Sequence, residues 1–323
     1  MVRVDAPLPP RAVAFALEPA PKSPVAGGLG HAFASWRTVL VVVVVQLLLA
    51  ATVVLPWGAR LMDRTARHAH APALGGEPDA HDRAYGHVLA GPTEAVLREI
   101  EREEAPTLEA LERVQLLVVL LAWVVGAFAA GAFLGTSPGM PGAPRGGGTI
   151  PAREALAAGG RHVFAMLRVG IVFAVLLVIA WRLVFETWGA IAGVGEAAQP
   201  SARVAWWGER WREVAAVAAF FWLRVAADAA RADLVRGRRR SAWIAILAGL
   251  LLPFRHPIAL LGLAVPVALL AWGVPWALGY LLPVLEAPHA VGHLTVFLVL
   301  QVAVAACWFA RAAWLAGVAV LRA

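Results

Sequence analysis

Two residue types are almost missing from this 323-residue sequence: Cys307 is the sole cysteine and Lys22 the sole lysine. A single cysteine excludes an intramolecular disulfide and a thiolate-based metal cage. Arginine supplies nearly all the basic charge, which with abundant Ala and Gly resembles the codon bias of a GC-rich genome. The chain has no Gly-rich phosphate loop, no GxSxG elbow, no HExxH and no CxxC. Nothing therefore favours nucleotide hydrolysis, serine-nucleophile chemistry, zinc proteolysis or thiol redox, and no cofactor is expected. Acids are few, 21 against 28 basic residues, giving a net charge of +7. Basic residues of a membrane chain gather in cytoplasmic loops, so the charge is not read as a nucleic-acid signal.

What the sequence has in excess is apolar residues. They make up 60% of the chain, with a mean hydropathy of +0.72. Soluble domains sit near ~45–50% apolar. Here the excess falls in runs long enough to cross the ~30 Å hydrocarbon of a bilayer. The sequence predicts an all-α integral membrane bundle of about six transmembrane helices with short interfacial helices. The spans are expected at about 36–58, 115–135, 162–186, 212–231, 258–282 and 291–320. The first is too long for a signal h-region and has no suitable cleavage site after it.

Residues 1–35, rich in Pro, Ala and Gly, predict a disordered cytoplasmic tail. Residues 36–323 form the membrane domain, with a polar outer loop at 59–113. Within that loop Pro92 to Glu104 predicts a surface helix, and Thr107 an N-cap for span two. Span two carries Gly126, Ala130, Gly131 and Gly135 at a spacing that lets a neighbouring backbone approach closely. Trp206, Trp207 and Trp211 suit an interfacial aromatic belt. Ser241 to Leu252 is apolar but too short to cross, which predicts an interfacial helix beside Arg236–Arg240. Pro151 to Gly160 is a weaker version before span three, hinting at a repeated arrangement.

The tail and first boundary carry Arg3, Arg11, Lys22 and Arg37. The second-to-third connection carries Arg145, Arg153 and Arg161. The fourth-to-fifth carries Arg231, Arg236, Arg238, Arg239, Arg240 and Arg255. The last connection has no Lys or Arg, and 59–113 holds seven Arg against eleven acids. This alternation predicts a multi-pass protein of the bacterial inner membrane with both termini cytoplasmic.

Asp228, Arg231, Leu234, the Arg238–Ser241 turn and then Arg255–His256–Pro257 before an apolar span resemble a pattern recurrent in a broad group of uncharacterised bacterial polytopic membrane proteins. Ala155–Arg168 is similar to that group's shorter interfacial element. More distantly, the chain resembles membrane regions attached to some glycerophosphodiesterases, without the phosphodiesterase domain. The resemblance implies topology and carries no catalytic residues.

Polar residues inside spans are the natural pointers to function. Arg224, Asp228 and Arg231 fall on one helical face at i, i+4, i+7. They read either as a gating or proton-coupling group or as a structural ion cluster at the inner headgroup level. Arg182–Glu186 is a similar pair at the outer end of span three. Arg168 and Arg311, near inner ends, are expected to snorkel. Gln46 and Gln301 lie deeper and are expected to bond neighbouring helices or to line a pore. Pro266, Gly273, Pro275 and Gly279 interrupt span five, as a kink or as a substrate-site break. Outer-face His68, His70, His81, His87, His289 and His293, with Asp79 and Asp82, read as solvated loop residues or a metal site. Arg236, Arg238, Arg239 and Arg240 form a candidate patch for anionic lipid or a protein partner. The balance favours a non-enzymatic membrane subunit or scaffold over a small transporter or permease component.

Overall fold

The computed structural model describes residues 23–69, 102, 105–141, 143, 148–187, 202–285 and 290–322. Among them every regular element is a helix. These are α1 Pro24–Ala34, α2 Trp36–Ala69, α3 Ala105–Gly135, α4 Ala152–Arg182, α5 Ala202–Val235, α6 Ala242–Gly249, α7 Leu252–Arg255, α8 Pro257–Ala268, α9 Val274–Leu285 and α10 Ala290–Leu321. Two π-helical segments extend or interrupt them, Leu183–Thr187 after α4 and Leu269–Gly273 between α8 and α9.

Five segments are long and apolar enough to cross a membrane: Trp36–Pro56, Ala105–Gly135, Ala152–Glu186, Pro257–Tyr280 and Thr295–Leu321. These match five of the six expected spans. The other, 212–231, lies in α5, a 34-residue helix running beside α4. Arg224, Asp228 and Arg231 break its apolar run. At ~1.5 Å per residue α5 is still long enough to span hydrocarbon, provided those charges are kept from lipid.

The core lies at one end of the bundle. Buried positions fall in the first turns of α2 (Val39, Val42, Val43), the last turns of α3 (Ala127 to Leu134), the first two thirds of α4 (Ala155 to Val172) and the last turns of α5 (Val225 to Val235). The final turns of α10 complete it, with Leu315 and Val318 fully enclosed. Away from that end Leu48, Val54, Leu116, Val178, Val217, Trp272 and Phe297 are all exposed. Apolar side chains on that scale suit acyl chains and not water.

Small residues set the helix contacts there, because association inside lipid depends on close packing. Gly131 and Gly135 of α3 lie against Gly159, Ala158 and His162 of α4, as their spacing predicted, whereas Gly126 faces open space. Gly249 of α6 abuts the backbone of Ala226 on α5.

Several expectations need correction. The tail does not extend to residue 35. Ser23 caps α1, its Oγ accepting from the Ala26 amide at 3.4 Å with Pro24 following, the combination that starts helices. α1 packs on α10 through Gly28, where a Cβ would come 2.4 Å from the Ala313 carbonyl oxygen. His31 is buried, its Nε2 3.2 Å from Ser35 Oγ, with the Phe133 carbonyl also bonded to the ring. The Ile150 amide donates to the Ala34 carbonyl at 2.8 Å, tying the α3–α4 connection to the same end.

Thr107 is the third residue of α3, not its cap. Pro151–Gly160 is no separate interfacial helix: α4 runs unbroken from Ala152, and the suggested repeat goes with it. The short helix after the basic cluster does exist as α6, but packing holds it. Ala245, Ile246 and Gly249 are buried among Val169, Val172 and Ala226. Trp222 Nε1 donates to the Leu250 carbonyl at 3.2 Å. Leu250 thus sits well back along α5 from its end at Val235, so α6 folds against that helix. Its other face, Trp243, Ile244, Leu247, with Leu251 and Phe254 beyond, is exposed.

Candidate functional site: a buried arginine-rich cluster

Asp228 sits on α5 near the closed end of the bundle, with its side chain completely buried. Helical spacing puts Arg224 one turn before it and Arg231 just under one turn after, on the same face. Arg231 Nη1 donates to Asp228 Oδ1 at very close range. Arg224 Nε lies 3.5 Å from Oδ2, and its guanidinium rests over the Phe173 ring of α4, 5.9 Å from the centroid. The three residues singled out by spacing do come together.

The strongest partner comes from α10. Arg311 binds Asp228 with both arms, Nη1 to Oδ2 at 2.5 Å and Nη2 to Oδ1 at 2.6 Å. Trp314 Nε1 donates to Oδ2 at 2.9 Å. Arg311 therefore does not snorkel outward as expected; its side chain is 17% exposed and turned into the bundle. The reason is geometric: α10 passes α5 at the depth of Asp228, and a bidentate guanidinium–carboxylate pair is worth more there than an extended side chain reaching for headgroups. Arg311 and Trp314, 83 and 86 residues from Asp228, escaped the local pattern. One signal pointed to Arg311: it is the only charge in α10, and Asp228 the only acid between Glu213 and Asp233 of α5.

One carboxylate thus serves three guanidinium groups and an indole. It has no lone pair free for a mobile proton. The cations outnumber the anion by two, and Arg231 Nε is buried without a hydrogen-bond partner.

The Arg236–Arg240 patch is largely used by the fold itself. Arg236 Nη2 donates to the Ala319 carbonyl at 2.8 Å and Arg238 Nη1 to the Arg322 carbonyl at 2.5 Å. Both cap the C-terminal end of α10, where orphan carbonyls and the helix dipole favour cations. Arg239 Nε lies 3.6 Å from buried Asp233, which also binds Arg322. Burial pushes the Arg236 pKa below the usual guanidinium range, with neighbouring Arg238 acting the same way. Arg240 and Arg255 remain exposed.

Of the other polar candidates, Gln46 accepts from Trp308 Nε1 at 2.5 Å, joining α2 to α10 as expected. Gln301 Oε1 is buried with no partner. Arg182 and Glu186 pair at 3.3 Å on an exposed surface, and Arg168 is exposed. Trp206, Trp207 and Trp211 are exposed early in α5. His70, His81, His87, His289, Asp79 and Asp82 lie outside the described residues, as does nearly all of Pro92–Glu104; for His68 and His293 only the backbone is described. Among the described residues no three His, Cys, Asp or Glu side chains gather to hold a metal. No protein-family model, curated protein or solved structure matches this chain.

Proposed function

We propose that this chain is a non-enzymatic multi-pass subunit or scaffold of a bacterial inner membrane, with both termini cytoplasmic, whose basic end engages anionic lipid or a protein partner. One observation carries this reading: exposed Arg240 and Arg255 flank an exposed apolar face, Trp243, Ile244, Leu247, Leu251 and Phe254. Cations beside large apolar side chains match the boundary between headgroups and acyl chains. The likeness to bacterial polytopic membrane proteins supports the same reading through Arg238–Ser241 and Arg255–Pro257.

A spin label at Leu247, in protein reconstituted into neutral or anionic vesicles, tests it. The label should lie in the acyl boundary, deeper with anionic lipid, and Arg240→Gln with Arg255→Gln should erase the difference. A label equally open to a water-soluble quencher in both vesicles would remove the basis for lipid engagement. The alternative, a small transporter or permease component, draws on the broken α8–α9 helix and on Gln301. Against it stands the saturated coordination of Asp228. Normal folded yield with a specific loss of phenotype in Asp228→Asn would favour transport.

A further inference from the structure

We infer that the Asp228 cluster is half of a binding site, and that Arg224, with the buried charges of Arg231 and Arg311 behind it, takes up a phosphate oxyanion beside Phe173 of α4. The argument begins with charge. Three arginines meet one carboxylate, and no second acid pairs with any of the three among the described residues. Unbalanced charge within a membrane bundle is costly, and such groups normally pair or mark a ligand site. Arg231, its side chain 9% exposed, has a buried Nε without a partner, so the cluster is under-satisfied from within. Its one accessible arm locates the missing anion. Arg224 touches Asp228 only by Nε at 3.5 Å, and its side chain remains 35% exposed.

The surroundings indicate the source. Arg224 opens among apolar side chains: Val217, Phe220 and Phe221 on its own helix are exposed, as are Ile171 and Val175 on α4. Arg224 lies eleven residues before the end of α5, roughly 16 Å along the axis. An anion reaching Arg224 must do so beside acyl chains, which costs a free ion heavily and a lipid headgroup, whose chains already lie there, much less. A lipid phosphate brings its own acyl chains, and its oxygens accept from several guanidinium arms at once. A free phosphate offers the same oxygens without the chains. This site lies inside the bundle, apart from the Arg240–Arg255 face, and does not depend on the reading of that face.

The test uses full-length protein delipidated in detergent and then placed in nanodiscs of digalactosyldiacylglycerol, which carries no phosphate, alone or with phosphatidylglycerol, with inorganic phosphate as a third condition. Thermal midpoint and lipid retained on native mass spectrometry are the readouts. Phosphatidylglycerol should raise the midpoint, and Arg224→Gln should weaken that response roughly fivefold in lipid affinity, the loss of one juxtamembrane cation. The midpoint in digalactosyldiacylglycerol alone gives each variant's own baseline, against which the response is read, and Arg224→Lys should recover part of the response. The effect should persist in high salt, where a surface patch is screened. Stabilisation by inorganic phosphate alone, abolished by Arg224→Gln, would support the anion site and assign it to a free anion. If Arg224→Gln keeps the full phosphatidylglycerol response, or Arg240→Gln removes it instead, the intramembrane site is wrong whatever becomes of the basic face.

Discussion

The Cys307 thiol on α10 donates to the Ala271 carbonyl, 3.3 Å away, inside the π-helical break of span five. In α-helical register that carbonyl would bond the amide of residue 275, and residue 275 is proline. The sole cysteine thus offers a donor to a carbonyl whose α-helical partner position is proline, as neighbouring helices do for broken membrane helices. Cys307→Val should cost about 1 kcal/mol, and Cys307→Ser little. In a Pro275→Ala background the cost of Cys307→Val should shrink. A double-mutant cycle on thermal midpoints measures this; additive effects would sever the link.

Breaking the Asp228–Arg311 pair should be costly. Asp228→Asn or Arg311→Gln removes one side of a buried ion pair and should destabilise by about 3–5 kcal/mol. Trp314→Phe, which loses one donor to the carboxylate, should cost about 1–3 kcal/mol. Monodisperse yield on size exclusion and the thermal midpoint in detergent are the measurements. Wild-type behaviour in Arg311→Gln would show that the α5–α10 pair is dispensable.

His31 gives a pH dependence with a definite sign. Burial pushes its pKa from 6.5 down to about 4, so the fold holds the neutral ring. The folded value is depressed below the unfolded one. Its contribution is therefore full above about pH 6.5, falls as pH drops toward about 4, and is absent below. The shift corresponds to about 3 kcal/mol across that window. Thermal midpoints in detergent should fall between pH 7 and pH 4.5, and less steeply in His31→Gln. Equal slopes would mean that other groups set the acid response.

Two glycines of α1 should respond oppositely to alanine. A Cβ on Gly28 meets the Ala313 carbonyl oxygen at 2.4 Å, and backbone cannot step aside cheaply. Gly28→Ala should therefore loosen α1 from α10 and speed proteolysis near residue 24. Gly30 has no neighbour within 4 Å of that position, so Gly30→Ala should stabilise by about 0.5–1 kcal/mol through helix propensity. Matching effects at both sites would argue against α1 docking.

Orientation is testable with one thiol. In a Cys307→Ser background, Arg240→Cys should react with an impermeant maleimide only after the cytoplasmic face is opened. Reaction in intact cells would invert the proposed topology.

Five spans were legible because bilayer thickness fixes a minimum apolar length, and composition alone reports it. The fourth was legible as a helix, yet its charges make sense only beside α10. Arg224, Asp228 and Arg231 declared themselves through the helical repeat, whereas Arg311 had to be supplied by a helix whose neighbours no local pattern names. α1 was hidden by Gly27, Gly28 and Gly30. Glycine lowers helix propensity, and here close approach to α10 repays it. The arginines after α5 were legible as a cluster, but two of them cap another helix's carbonyls, and sequence does not show where that helix ends.

The meeting of α1 with α10 has a consequence for the order of synthesis. Gly28 and His31 are made well before Ala313, so α1 first meets Phe133 and Ile150, and its close contact with α10 forms only once that helix is threaded. The Asp228 carboxylate likewise waits 83 residues for Arg311, held meanwhile only by arginines of its own helix. α10 is the keystone of the bundle. A chain that stops short of it leaves the Asp228 carboxylate without its bidentate partner and α1 without its closest contact, features by which quality-control proteases can tell such a copy from one that has threaded α10.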